Sequence, residues 1–175
     1  MHSRSQTSDE SNPLSLGTDL PMSIFTSVEP WNDERIGALA LYCSDGRWGE
    51  AFDEFCHKCL HIPRYDRWAV PGGPAWLATP EGSPEFSRAA RQQIDFLVQI
   101  HKVERIILIT HFGCAAYGQR LQLPPEDCLK TQIDDIHRAA HTLRSWYADI
   151  RVEGYLAMRR SRMLSFHELA GIPAN

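Results

Sequence analysis

The stretch Ile36-Gly-Ala-Leu-Ala-Leu-Tyr-Cys43 is continuously apolar and is ended at once by Ser44-Asp45-Gly46. A short apolar run that stops at a turn signal is typical of a strand covered on both faces, as in a parallel sheet. A second such run, Val103-Glu-Arg-Ile-Ile-Leu-Ile-Thr110, leads directly into His111. These two runs predict that the chain is built around a mostly parallel sheet.

The rest of the chain alternates helix and strand signals around these two runs. Three segments carry apolar residues at helical spacing: residues 48–61, 83–101 and 124–147. The second of these is predicted to begin with Ser83 as its N-cap and to carry Phe86 on its apolar face. Three further segments are predicted strands: residues 67–71, 151–158 and, at an edge of the sheet, 162–169. This order predicts an α/β fold with a mostly parallel central sheet of four to five strands flanked by helices.

The helix predicted over residues 124–147 has the clearest pattern. Its apolar stripe consists of Leu129, Ile133, Ile136, Ala140, Leu143 and Tyr147. We expect the Lys, Gln, Asp and Arg side chains of this helix to lie on the opposite face, toward solvent.

Composition limits the possible classes of protein. The 175 residues are enough for one domain with a sizeable core. Residues 1–22 are rich in Ser, Asp and Pro, which predicts a disordered tail or an arm that orders against a partner, and residues 23–175 are predicted to form a single domain.

The net charge of -4 and the absence of a Lys/Arg run argue against nucleic acid or an anionic membrane as partner. No apolar stretch approaches the ~20 residues that span a bilayer.

The five cysteines bear on location and on use. An odd number of cysteines, in a sequence without a visible secretory signal, favours the reducing cytoplasm. There we expect cysteines to serve as metal ligands or core residues rather than as disulfides.

Two motifs follow the two buried runs: Cys43-Ser-Asp45-Gly-Arg47 and His111-Phe-Gly-Cys114. They offer two thiolates, an imidazole and a carboxylate, a set of ligands that suits zinc. In α/β sheets, ligands collect at the carboxyl ends of strands where the strand order reverses. If the two strands are neighbours, the motifs meet there, and we expect Cys43, His111 and Cys114 to bind one Zn²⁺.

The role of Asp45 depends on Arg47, two residues further on. If the two side chains pair through charge-assisted hydrogen bonds, Asp45 stays ionised and off the metal, and the fourth zinc position is open for water. Zinc activates such a water near neutral pH. Without that pairing, Asp45 would be the fourth ligand and the site would be closed.

Cys-x-Asp-x-Arg after the first strand, with His-x-x-Cys after a later one, resembles the β-class carbonic anhydrases. The similarity runs from about Ile36 to the last strand. It implies a zinc site of Cys43, His111 and Cys114 and a catalytic dyad of Asp45 and Arg47. It also implies reversible hydration of CO₂ to bicarbonate, and a homodimer or dimer of dimers whose interface helps to build the pocket.

The chain departs from that family's pattern around the expected substrate pocket. Many members carry Arg-Asn-Ala-Gly-Asn after the second strand, where this chain has Val70-Pro-Gly72-Gly73-Pro74, and Phe112 stands where a small hydroxyl residue is usual. We expect Gly72, Gly73 and Phe112 to line an altered pocket beside an intact metal site. Two alternatives stay open: a hydrolase of carbonyl sulfide or carbon disulfide, and a non-catalytic zinc-binding protein.

Cys56-His-Lys-Cys59, with His61 nearby, is a rival metal motif. Both cysteines fall on a predicted helix, and no second C-x-x-C follows. We therefore expect Cys56 or Cys59 to pack in the core and His57 to be solvated.

Overall fold

The computed structural model of the protein describes residues 22–78 and 84–172. The strands are β1 (Ala38–Tyr42), β2 (Asp66–Ala69), β3 (Arg105–His111), β4 (Arg151–Arg160) and β5 (Met163–Glu168). The helices are α1 (Gly49–Glu54), α2 (Ala75–Ala78), α3 (Pro84–His101), α4 (Ala115–Leu121) and α5 (Pro125–Trp146).

The five strands form one sheet in the order β2-β1-β3-β4-β5. β1 pairs in parallel with both β2 and β3, β3 pairs in parallel with β4, and only β5 runs antiparallel, at the edge. The prediction of a mostly parallel sheet flanked by helices is confirmed. Because the strand order reverses between β1 and β3, the carboxyl ends of these two strands form the switch point of the sheet.

The central strands are buried on both faces, which explains why their sequences are apolar without alternation. Every residue of β1 is buried. Alternate residues of β1 and β3 pack into two different clusters, one beneath α3 and α5 and one beside α1. Burying one such aliphatic side chain contributes roughly 1.5–3 kcal/mol, so this double covering holds the switch point rigidly.

Three differences from the sequence-based prediction concern helices. The helix predicted over residues 48–61 is α1 followed by one π-helical turn, Phe55–Cys59. Two short helices, α2 and α4, were not predicted. Phe86, expected on the apolar face of α3, is 54% exposed. Ser83, the predicted N-cap of this helix, lies outside the described residues.

The solvent-facing assignment on α5 is wrong for two polar residues. Gln132 and Asp135 are buried together with Cys128, Ile136 and Leu143. Each of the two finds hydrogen-bond partners on neighbouring elements, which offsets the cost of removing it from water. The buried face of α5 is therefore rotated relative to its apolar stripe.

The chain divides into two compact units, Met1–Asp33 and Glu34–Asn175. Residues 22–33 of the first unit form neither helix nor strand, and their side chains are exposed. The predicted tail of residues 1–22 falls almost entirely outside the described residues, so its boundary with a domain of residues 23–175 stays a prediction. None of the described helices combines the length and apolar character needed to cross a membrane.

Candidate metal centre

The carboxyl ends of β1 and β3 bring two predicted ligands together. The two strands pair with Tyr42 opposite Ile109. Cys43 directly follows β1, and His111 is the last residue of β3. Both side chains therefore leave the sheet at its switch point, as expected from the strand-end placement of the motifs.

The turn after β3 returns the third ligand to the same place. Gly113 has a φ of 72°, a left-handed conformation that glycine adopts without steric cost. Cys114 follows as the N-cap of α4, and its carbonyl accepts the backbone N–H groups of Tyr117 and Gly118. The Sγ atoms of Cys114 and Cys43 consequently lie 3.7 Å apart.

The cluster has the dimensions of a tetrahedral zinc site. The ligand atoms of Cys43, His111 and Cys114 all lie within 4.8 Å of one another, and all three residues are buried. Two sulfurs bonded to a tetrahedral zinc at ~2.3 Å would be about 3.8 Å apart, close to the 3.7 Å observed here.

The imidazole of His111 is oriented for metal binding. Its Nδ1 lies 3.1 Å from the carbonyl oxygen of Phe112, which accepts the Nδ1–H hydrogen bond. The buried Nε2 atom has no hydrogen-bond partner among the described residues. Burying a polar atom without a partner is costly, and a metal ion is the partner that two adjacent thiols also suit. The residues present therefore fit zinc.

Thiolate chemistry agrees with this fit. A hydrogen bond from the Cys114 thiol lowers the pKa of the Cys43 thiol, and the His111 side chain and the backbone N–H groups of Gly72 and Asp45 act in the same direction. The same hydrogen bond, together with burial, raises the pKa of Cys114. Because the thiolate is the form that binds metals, the site holds negative charge ready for a cation.

Asp45 is held by Arg47. The guanidinium donates Nε–H to Oδ1 at 2.9 Å and Nη2–H to Oδ2 at 2.5 Å, and the backbone N–H of Arg47 also donates to Oδ1. These hydrogen bonds lower the pKa of the Asp45 carboxyl to about 2. Of the two predicted arrangements, the structure has the paired one, in which the carboxylate faces Arg47 and the metal cluster consists of Cys43, His111 and Cys114.

Gly72 and Gly73 lie in the turn after β2, against the end of β1. A Cβ atom on Gly73 would lie 2.7 Å from the carbonyl carbon of Tyr42 and 2.8 Å from the nitrogen of Cys43, so only glycine fits there. Gly72 donates its N–H toward Cys43, as described above. Phe112 is half-buried, and its backbone N–H donates to Ala157. The structure thus places all three residues beside the cluster, and their contact with substrate stays a prediction.

Two residues that contact His111 were not predicted from the sequence. The ring of Trp48 lies 4.9 Å from the imidazole ring. Gln132 donates its Nε2–H₂ group to the carbonyl of His111 at 2.8 Å and to Oγ1 of Thr110 at 3.0 Å. Gln132 lies four residues from both Cys128 and Ile136, a helical spacing that could have indicated its burial.

The rival motif does not form a second cluster. Cys56 is buried in the core and Cys59 is exposed. Within residues 22–78 and 84–172, the three-residue group at the end of β1 and β3 is the only cluster with metal-ligand geometry. The expectation that one of these cysteines packs in the core is confirmed.

Residues 34–164 match a family model described as "Putative carbonic anhydrase". The chain belongs to this carbonic anhydrase family. The predicted resemblance is confirmed, and a search of curated proteins found no significant match.

Solved β-carbonic anhydrases share the fold of this carbonic anhydrase family member. One of two tetrameric enzymes from the filamentous ascomycete Sordaria macrospora is 14% identical, with a TM-score of 0.51, over 78% of this chain and 82% of that chain. The β-carbonic anhydrase isoform I from Trichomonas vaginalis is 16% identical, with a TM-score of 0.45, over 80% of this chain and 87% of that chain. The β-carbonic anhydrase of Aspergillus fumigatus is 13% identical, with a TM-score of 0.47, over 78% of this chain and 77% of that chain. The Sordaria macrospora match shows that the chain has the fold of the β-carbonic anhydrases.

Proposed function

We propose that the protein is a zinc-dependent carbonic anhydrase that hydrates CO₂ reversibly to bicarbonate. The observation that carries the proposal is the pairing of Asp45 with Arg47 beside a cluster of three protein ligands. Three ligands leave the fourth position of a tetrahedral zinc open, which is the arrangement of catalytic rather than structural zinc sites.

In this proposal Cys43, His111 and Cys114 hold the zinc through two sulfurs and Nε2. Bound there, zinc supplies a Lewis acid that activates water near neutral pH. The Nδ1–H hydrogen bond of His111 to Phe112 fixes the tautomer that presents Nε2 to the metal. Trp48 packs against the imidazole ring and limits its rotation.

Asp45 and Arg47 orient the reacting water. Oδ1 of Asp45 already accepts two hydrogen bonds from Arg47, from Nε–H and from the backbone N–H. Oδ2, which accepts Nη2–H, is the oxygen that would accept a hydrogen bond from the water and direct the water toward the carbon of CO₂. Arg47 keeps the carboxylate ionised and fixes its direction through two parallel hydrogen bonds. The net reaction adds one water to CO₂ and gives bicarbonate and a proton, which leaves to solvent.

The substrate pocket is proposed at Gly72, Gly73 and Phe112. Gly73 lets the turn after β2 pack directly against the backbone of Tyr42 and Cys43, and in this proposal Phe112 supplies an apolar wall that suits CO₂. The reported matches are all to carbonic anhydrases, and no observation favours hydrolysis of carbonyl sulfide or carbon disulfide.

Location and assembly complete the proposal. All five cysteines of the chain are free thiols, which supports a reducing cytoplasm. The enzyme from Sordaria macrospora is described as tetrameric. We propose a homodimer or a dimer of dimers for this chain, on the strength of its family.

Metal analysis combined with stopped-flow CO₂ hydration on the full chain tests the function. We expect one zinc per chain and hydration well above the buffer rate. Cys114→Ser should lose both, whereas Cys59→Ser, at an exposed cysteine outside the cluster, should keep both. Zinc-loaded protein that hydrates CO₂ only at the buffer rate would instead support a non-catalytic zinc protein.

A further inference from the structure

A cavity lies on the side of the sheet that carries α2 and α5. Its volume is about 520 Å³, within the range of small-molecule sites. Among the described residues its lining includes Trp76, Phe86, Tyr117, Arg120, Asp135 and Arg138. None of the three candidate zinc ligands belongs to this lining, but Gly72 does, so the cavity adjoins the candidate metal centre without containing it.

The polar part of the cavity is built around a buried carboxylate. The side chain of Asp135 is 1% exposed. Its Oδ2 accepts hydrogen bonds from the Tyr117 hydroxyl at 2.8 Å and from Nη2 of Arg120 at 2.6 Å, and its Oδ1 accepts one from Nη2 of Arg138 at 2.5 Å. Arg120 also lies 4.6 Å from the centre of the Tyr117 ring. These contacts hold both guanidinium groups at the cavity.

Two arginines around one carboxylate leave an excess positive charge in a protein whose net charge is -4. A guanidinium carries five N–H donors, and the hydrogen bonds to Asp135 use one from each arginine. The other N–H groups of a guanidinium can bind a carboxylate through two parallel hydrogen bonds. The polar part therefore favours an anion.

The opposite part of the cavity is apolar and aromatic. The rings of Trp76 and Phe86 lie 4.6 Å apart, and Nε1–H of Trp76 is already used in a hydrogen bond to the carbonyl of Pro71. The indole thus has no N–H left to offer a ligand. Phe86 is 54% exposed, although burying such a ring is normally favourable. An apolar ligand body against the two rings would cover this surface.

We propose that this cavity binds a small organic anion, a carboxylate attached to an aromatic or branched aliphatic group. The carboxylate lies at Arg120 and Arg138, and the apolar body lies against Trp76 and Phe86. Gly72 and Ala116 line the cavity and also flank the candidate metal centre, since Gly72 donates its N–H toward Cys43. The two sites are adjacent and have different ligands.

Isothermal titration calorimetry, with benzoate titrated into the full chain, tests the proposal. Benzyl alcohol serves as the neutral probe with the same ring. We expect a benzoate Kd on the order of 1 mM or tighter, as the number of its atoms allows, and binding of benzyl alcohol at least ~10-fold weaker because it forms no charge-assisted hydrogen bonds.

Three variants locate the binding. Arg138→Met should weaken benzoate about 10-fold or more, and Thr131→Phe, which keeps both arginines and fills the cavity, should abolish binding. Arg91→Met is the matched control, because Arg91 also pairs with an aspartate and lies over an aromatic ring, but outside this cavity. Circular dichroism and thermal melting verify that each variant is folded.

A crystal soaked with 4-bromobenzoate gives an independent readout, because the bromine signal marks the ligand. We expect the bromine beside Trp76 and Phe86. Benzoate binding that survives Thr131→Phe, a bromine at the metal centre, or no binding because another segment or a second copy fills the cavity would each overturn the proposal.

Discussion

Two aspartates of this protein are held by arginine, and their surroundings differ. Asp45 lies in the loop after β1, its side chain is 16% exposed, and its arginine partner, Arg47, is 73% exposed. Asp135 lies on α5, is 1% exposed, and is bound by Arg120, Arg138 and the Tyr117 hydroxyl. The same ion-pair chemistry therefore occurs near the surface beside the candidate metal centre and inside the protein.

The difference teaches what each pair contributes. An exposed ion pair contributes about 0–1 kcal/mol to the free energy of unfolding. The main effect of the Asp45–Arg47 pair is therefore to fix the orientation of the carboxylate. A buried carboxylate depends on its partners, because breaking such a pair costs several kcal/mol. Asp45 should therefore control activity, and Asp135 should control stability.

The largest expected effect is on the activity of Asp45→Asn. We expect kcat/KM for CO₂ hydration to fall ~10²- to 10⁴-fold, since the amide replaces a carboxylate acceptor in the proton-handling step. The melting temperature should hardly change. Stopped-flow assays at equal zinc content measure the effect, with Asp134→Asn, at an exposed lysine pair, as the control. Full activity in Asp45→Asn would remove this residue from the mechanism.

Asp135→Asn should show the opposite pattern. We expect the free energy of unfolding to fall by roughly 2–4 kcal/mol, because two guanidinium groups and a hydroxyl lose their charged acceptor. The folded variant should hydrate CO₂ within a few-fold of the unsubstituted rate. Urea denaturation and the same stopped-flow assay measure both quantities. Unchanged stability with lost activity would reverse the comparison.

Gln132→Met tests a residue that supports the metal centre through the backbone. We expect a loss of about 1–3 kcal/mol in stability, because the buried carbonyl of His111 loses its donor. Zinc affinity should fall roughly tenfold, as for other outer-shell partners of a metal ligand. Competition with a chelator measures the affinity. Gln119→Met, at an exposed glutamine of α4, should change neither.

Arg47→Lys is expected to have the smallest effect. Lysine keeps the positive charge but cannot donate two parallel hydrogen bonds, so Asp45 should remain ionised and lose its fixed direction. We expect kcat/KM to fall about tenfold with unchanged zinc content. Arg67→Lys, at another aspartate pair, is the control. A loss of kcat/KM as large as that of Asp45→Asn would mean that Asp45 acts only when Arg47 fixes the orientation of its carboxylate.

The sheet and the metal cluster were predictable because they depend on local patterns. Apolar runs at Ile36–Cys43 and Val103–Thr110 end in residues with ligand chemistry, and the carboxyl ends of adjacent parallel strands meet at one edge. The structure has β1 beside β3 as this reasoning requires. Residues that belong to strands buried on both faces are identified well by hydrophobicity alone.

The buried polar residues were not predictable in the same way. Gln132 and Asp135 read as solvent-facing because hydrophobic periodicity assigns polar residues to the surface. Their burial depends mainly on partners that lie on other elements, namely Thr110, His111, Tyr117 and Arg120; only Arg138 is on α5 itself. The short helices α2 and α4 were missed for a related reason: they are too short to show a period.

The most direct test of the account is a crystal structure of the zinc-loaded full chain at neutral pH. We predict zinc bound by Cys43, His111 Nε2 and Cys114, at ~2.3 Å to sulfur and ~2.0–2.1 Å to nitrogen, with Asp45 still paired with Arg47. A carboxylate oxygen of Asp45 at ~2.0–2.2 Å from the zinc, with Arg47 released, would contradict the open site.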